Sequence, residues 1–277
     1  MIQIGSYNRL EIVRKVDFGV YLSDGESDVL LPIRQVPPKA GQGTILDLFV
    51  YTDSEDRPIA TTHRPFAVAG EFALMRIVSL SAIGAFADWG IPKDLLIPLS
   101  EQRQPLVEGR SYVVRVVLDI LTDRVIGSTK LSKYLDPDTS KLKEGQQVEA
   151  LIIHRMEHST MAIIDGRFSA AFFPDEIHRP LKVGEKTPAF VKKIREDGKI
   201  SLSLTPVGYQ AVAERAPDII RMLEKEGGFL PFSDSSSPEE IRKVFGMSKG
   251  SFKKLLGKLL KEDRIEISFH GIRLKRR

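Results

Sequence analysis

The sequence has no cysteine. This excludes a disulfide scaffold, any thiolate metal site and a cysteine nucleophile. Histidine is scarce, with five in all, and His63, His154, His158, His178 and His270 are scattered. No His-Glu-x-x-His pattern, phosphate-loop glycine pattern or Asp/Glu cluster at metal spacing is present. No catalytic residue, metal site or cofactor is therefore assigned, and a nuclease would need acidic metal ligands that are not found. Long apolar runs are also missing. The most apolar stretch, residues 66–99, is broken by Glu71, Arg76, Asp88 and Lys93, so no membrane-crossing segment is expected. The start, Met1-Ile2-Gln3-Ile4, lacks a basic region followed by an apolar run, so no signal peptide is expected and a cytoplasmic protein is the default.

What is present is the composition of an ordinary folded protein. The 277 residues are 42% hydrophobic, 28% charged and 8% aromatic, enough apolar surface to offset chain entropy. Length alone suggests about two domains. The net charge of +4 is unevenly placed. Residues 246–277 hold ten Lys/Arg against three Asp/Glu, or +7, which leaves −3 on the first 245 residues. A basic terminal unit on a nearly neutral body is either a footprint for a polyanion or a solvated lysine-rich helix.

Three segments share one order of features. The first runs Phe18-Gly19-Val20-Tyr21-Leu22, Leu30-Leu31-Pro32, Gly41 or Gly43, a β-rich run to Val50, and Ile59-Ala60-Thr61-Thr62. The second runs Ile83-Gly84-Ala85-Phe86, Leu96-Ile97-Pro98, Gly109, residues 112–117, and Ile126-Gly127-Ser128-Thr129. The third runs Met161-Ala162-Ile163-Ile164, Phe172-Phe173-Pro174, Gly184, Ala189-Phe190-Val191, and residues 200–204. Pro32, Pro98 and Pro174 stand 66 and 76 residues apart, and Ile59, Ile126 and Ile200 stand 67 and 74 apart. Two markers thus agree on a unit of that size, long enough to close its own core.

Each unit reads as five short strands. Residues 11–16 and 199–204 alternate with period two, and glycine and proline punctuate the spacing. Closure into a small barrel removes exposed edges, so the expected fold is mainly β, with three tandem five-stranded OB barrels at residues 1–64, 66–135 and 141–206. Linkers are placed at residues 63–65 and 136–140. After Pro206 the period becomes helical, with Val212, Ala216, Ile219, Ile220 and Leu223 close to one face. Ser237-Pro238-Glu239-Glu240 is a helix start with a capping box, and Ile241, Val244 and Phe245 supply that helix's apolar face. Ser248 caps a third helix with Phe252, Leu255, Leu256, Leu259 and Leu260 on one side. Two strands around a His270-Gly271 turn complete a winged helix over residues 210–277.

A barrel that binds single strands needs exposed aromatic faces with cations nearby. Tyr21 and Phe86 occupy the same slot, two residues after the glycine. They either stack on bases or fill the barrels, as strand aromatics commonly do. Strict alternation puts Phe18 in the core with Val16 and Val20, and a glycine-centred bulge would instead bring it onto one face with Tyr21. Trp89 is either a third platform or a structural ring. Arg14, Lys15, Arg76, Arg115, Arg124, Lys130, Lys133, Lys192, Lys193 and Arg195 lie along the same strands, each an ordinary surface charge when taken singly.

Phe18-Gly19-Val20-Tyr21, residues 96–101 and Ile200-Ser201-Leu202-Ser203-Leu204 resemble the S1-like RNA-binding domain, an OB-fold. Three such units followed by Phe245-Gly246-Met247-Ser248-Lys249 and Phe252-Lys253-Lys254 resemble the conserved virulence factor B family along essentially the whole chain. That resemblance implies a bacterial cytoplasmic RNA-binding regulator whose barrels and winged helix share one RNA surface. Two features depart from the S1 pattern. Pro32, Pro98 and Pro174 stand where a histidine is common, and His158-Ser159-Thr160-Met161 replaces Phe-Gly in the third unit. The third unit is therefore not expected to stack bases in the usual way, although Phe168, Phe172 and Phe173 are near. Phe172 and Phe173 must point to opposite faces, which puts one of them in the core.

In the winged helix, Lys253, Lys254, Lys258 and Lys261 avoid the apolar face of the third helix, and Lys249 lies at its start. Lysines there suit phosphate contact better than bidentate base reading. The expected function is non-enzymatic binding of single-stranded RNA by electrostatic capture and stacking. The site comprises Phe18, Tyr21, Phe86 and Trp89 with Arg14, Lys15, Arg76, Arg115, Lys130, Lys249, Lys253, Lys254 and Lys258. The alternatives are a DNA-binding regulator with scaffold barrels and an adaptor of the translation or transcription machinery.

Overall fold

A computed structural model describes residues 1–119, 122–177, 179–206, 215–233, 235–268 and 270–275. Val212 and the expected helix start at 210, together with His178, Phe269, Arg276 and Arg277, lie outside the described residues.

Alternating apolar residues, broken by glycine and proline turns, give three five-stranded sheets of one topology. Strands β1 (Ser6–Val16), β2 (Gly19–Ser23), β3 (Asp28–Pro32), β4 (Ile45–Thr52) and β5 (Pro58–Thr61) close in the order β1-β2-β3-β5-β4. Leu10, Ile12, Val20, Leu22, Leu31 and Val50 fill the interior. The second sheet holds β6 (Phe72–Ser81), β7 (Gly84–Ala87), β8 (Leu95–Pro98), β9 (Ser111–Asp119) and β10 (Arg124–Ser128), in the order β10-β9-β6-β7-β8. Strands β11 (Gln147–Arg155), β12 (Thr160–Ile164), β13 (Phe168–Phe172), β14 (Lys186–Ile194) and β15 (Ile200–Ser203) close a further barrel. As the weak helix signals suggest, only short 3-10 turns interrupt the strands among the described residues before Pro206.

The three OB-like barrels and the winged helix expected from the sequence are borne out, the second barrel as a half-barrel. The first and third barrels close through a parallel pairing, β3 with β5 and β13 with β15. No ladder joins β8 to β10 among the described residues. Side chains fill that seam instead. A Cβ on Gly127 would lie 2.8 Å from Ile97 and from Val114.

The glycine that opens the second strand of each of the first two sheets has a steric cause. Gly19 pairs with Pro32 and Gly84 with Pro98, and an added Cβ would sit 2.2 Å from the Leu31 carbonyl oxygen or 2.3 Å from that of Ile97. Backbone, not a movable side chain, blocks the space. Gly84→Ala is expected to destabilise the chain by about 1–3 kcal/mol. A lowered urea midpoint measures it, and an unchanged midpoint would mean that β8 moves aside at no cost.

Two compact units are distinguished: residues 1–137 with 150–169 and 180–187, and residues 138–149, 170–179 and 188–277. In the first unit the segment after β5 is sewn into its neighbours. The Phe66 amide donates to the Trp89 carbonyl at 2.9 Å, and the Ala69 amide donates to that of Gly5 at 2.8 Å. Trp89 is 2% exposed, its Nε1 donates to the Ala67 carbonyl at 2.8 Å, and its ring meets buried Phe49 edge-on at 5.3 Å.

In the second unit, α1 (Ala216–Lys225), α2 (Pro238–Phe245) and α3 (Lys249–Lys261) are followed by β17 (Ile265–Ser268) and β18 (Gly271–Leu274), with β16 (Phe229–Leu230) as a third strand in the order β16-β18-β17. Ser237 and Glu240 form the expected capping box, and Gly246 ends α2 in the left-handed region. Ile219, Leu223, Ile241, Phe252, Leu255, Leu259 and Ile272 form the core. Val244 and Leu260, expected on the apolar faces, are exposed, because each lies at the edge of its helical stripe.

Candidate nucleic-acid interface

Along β2, Val20 and Leu22 point inward and Tyr21 points outward, half-buried. Alternation alone achieves this, so no glycine-centred bulge operates in β2. The bulge is on β1 at Val13, where the register passes from Ile12↔Leu22 to Arg14↔Tyr21. It interrupts the period read over residues 11–16 and seats the Arg14 guanidinium 4.4 Å from the Tyr21 ring centre. Such a contact is a cation–π pair. Phe18 precedes the strand, is 57% exposed, and its carbonyl accepts the Ile33 amide at 2.9 Å. That backbone bond brings Phe18 and exposed Ile33 together at the start of β2. Of the two placements open to Phe18, the core one does not hold, because the residue lies in the turn and not in the strand.

The second sheet repeats this arrangement. The register shifts at Val78, from Ile77↔Ala87 to Ser79↔Phe86, which places half-buried Phe86 where Tyr21 stands in the first. The Ile83 carbonyl accepts the Leu99 amide at 3.1 Å, and both side chains are exposed. In the third barrel the shift falls at Ile153, from Ile152↔Ala162 to His154↔Met161, so the equivalent position carries Met161 and no ring. Burial lowers the pKa of His154, and Arg103 acts in the same direction. Phe172 is buried and Phe173 exposed, as strand alternation requires. Sequence reasoning missed the three bulges and the Met161 equivalence. The available signal was the break in alternation at Val13, where two charged residues follow in succession.

Several expected contacts are corrected. Trp89 is not a platform, because its faces are buried between the first two sheets. Arg115 does not project as a backbone-gripping cation. Its guanidinium lies 4.5 Å from the Phe72 ring centre and 5.7 Å from that of Tyr134, and burial lowers its pKa. Lys258 does not share the open face of α3. Its side chain is 17% exposed and its ammonium stands 3.6 Å from Glu262. Lys249 is partly buried and donates to the Ser235 carbonyl at 3.4 Å. Lys15, Arg76, Lys130, Lys253, Lys254 and Lys261 are exposed. Arg124 on β10 pairs with Asp56, Lys133 in the turn after β10 with Glu101, and Lys192 on β14 with Glu176, so these cations are largely offset by nearby carboxylates.

Among the described residues no group of three or more His, Asp or Glu is placed to hold a metal ion, and no helix is long and apolar enough to cross a membrane. What the arrangement offers is two outward rings at equivalent strand positions, and a helix with exposed lysines in a separate module.

Residues 4–63 match the S1 domain and residues 217–274 match the CvfB-like winged helix domain. Among named relatives, YitL of Bacillus subtilis (strain 168) is 27% identical over 270 residues, covering 94% of this chain and 90% of that one. Conserved virulence factor B of Staphylococcus saprophyticus is 26% identical and covers 84% of this chain and 80% of that one. A crystal structure of a multidomain protein with nucleic acid binding domains from Streptococcus pneumoniae TIGR4 is 24% identical, covers 99% of each chain, and superposes with a TM-score of 0.43. The resemblance to the conserved virulence factor B family, read from the order of domains, is borne out.

Proposed function

We propose, on a domain series shared with the conserved virulence factor B proteins, that this chain is a non-enzymatic regulator that binds single-stranded RNA. The S1 and winged-helix domains support a nucleic-acid-binding role. The observation that carries the finer reading is the recurrence of an outward ring, Tyr21 and then Phe86, at one register position behind one bulge. Each ring has a face that any base can stack on. Arg14 widens the first platform, since guanidinium planes also stack on bases. Exposed Lys253, Lys254 and Lys261, with Lys15, Arg76 and Lys130, supply the long-range attraction to phosphate.

A salt titration of binding to a short oligoribonucleotide tests this reading. The logarithm of affinity should fall with the logarithm of salt, by about 0.7 for each phosphate neutralised. Lys253→Glu with Lys254→Glu should shallow that slope. A flat slope in the parent chain would count against electrostatic capture, and an unaltered affinity in the double variant would favour a protein-binding winged helix. Tighter binding to duplex DNA than to single-stranded RNA would favour the DNA-binding alternative.

A further inference from the structure

Within the first unit, a groove of about 460 Å³ opens beside Phe86. Half-buried Phe86, Leu96 and Ile126 line its apolar side. Its two cations are already committed. The Arg124 guanidinium pairs with the Asp56 carboxylate, and the Lys93 ammonium donates to the carbonyls of Thr52 at 2.6 Å and Asp53 at 2.8 Å. The lining sets two cations, Lys93 and Arg124, against two carboxylates, Asp56 and Asp94, so the groove carries no net positive charge to hold a phosphate. Asp94 is the uncommitted one of the four. It lines the same groove, is exposed, and has no hydrogen-bond or ion-pair partner among the described residues, which leaves both carboxylate oxygens open to a ligand. Partial desolvation and then the nearby Asp88 charge raise its pKa.

We propose that this groove receives one guanine base, stacked on Phe86 and held at its edge by the Asp94 carboxylate. The proposal rests on the nucleic-acid-binding reading and adds a base preference to it. A carboxylate offers two adjacent acceptor oxygens. Guanine alone among the RNA bases presents two adjacent donors, N1–H and the 2-amino group, along one edge. Adenine and cytosine set a single amino donor beside an acceptor, and uracil sets its N–H between two carbonyl oxygens that a carboxylate repels. A neutral heterocycle also suits a groove whose charged side chains balance. The volume lies within the usual range for small-molecule sites.

The test uses the full chain and labelled uridine heptanucleotides that carry G, A, C or U at the centre, with guanosine 5′-monophosphate as a second probe. The central guanine should raise affinity about tenfold over uracil, the discrimination of one good bidentate pair. Asp94→Asn should abolish that preference and leave affinity for the all-uridine strand within about twofold. Displacement of the strand by the mononucleotide from the parent chain, and not from Asp94→Asn, would extend the site to free guanine nucleotides. No displacement would restrict it to guanine within a strand. A parent chain without guanine preference, or an Asp94→Asn variant that keeps it, overturns the proposal while RNA binding stands. A parent chain that binds no heptanucleotide overturns the RNA reading. Direct titration with the mononucleotide then decides the groove separately, and absence of binding overturns it too.

Discussion

Trp89→Ala is expected to lower the unfolding free energy by about 3–5 kcal/mol, the range for emptying a large buried aromatic site. Three contacts go at once: the edge-on packing against Phe49, the burial of the indole, and the Nε1 hydrogen bond to the Ala67 carbonyl. Phe49 belongs to β4 of the first barrel and Ala67 to the segment after β5, so the loss falls on the joint between the first two sheets. Urea unfolding followed by far-ultraviolet circular dichroism measures it, since the substitution removes the chain's one tryptophan. Trp89→Phe separates the contributions. It keeps most of the ring and leaves the Ala67 carbonyl without its donor, a cost of about 1–3 kcal/mol. RNA affinity of Trp89→Phe should stay at the parent level. A loss below about 1 kcal/mol for the alanine variant would contradict the joint, because so small an effect is that of a surface site.

The series of β-domains and the winged helix were legible because their signals are local. Gly19 and Gly84 mark a backbone approach that no other residue tolerates, and Pro32 and Pro98 stand directly opposite them. The capping box at Ser237 and Glu240 is written in four consecutive residues. The open seam of the second sheet was not legible, because it turns on whether two strands distant in sequence form hydrogen bonds, and both read as strands either way. The site was legible only in part. Tyr21 and Phe86 follow from their distance to the glycine, but the Val13, Val78 and Ile153 bulges depend on pairing between strands. Arg115 and Trp89 failed for one reason. Residue type gives neither the ring that covers a guanidinium nor the sheet that covers an indole.

Tyr21→Ala and Phe86→Ala should each weaken binding of single-stranded RNA by about 1–3 kcal/mol, the worth of one base–aromatic stack, which is roughly 5- to 150-fold in affinity. The two rings stand on different sheets, so the double variant should lose close to the product of the single effects. Stability should change little, because both side chains are half-buried on outer faces and neither belongs to the buried core. Tyr21→Phe should retain most of the affinity, since the ring face and the Arg14 contact survive loss of the hydroxyl. Met161→Ala is the control, because it removes apolar surface from the same register position without removing a π face. If Met161→Ala weakened binding as much as Phe86→Ala, the groups that matter would be apolar bulk and not stacked rings. If neither aromatic variant changed affinity while the Lys253→Glu, Lys254→Glu chain lost it, phosphate attraction alone would hold the strand, and the recurrence of outward rings would belong to folding.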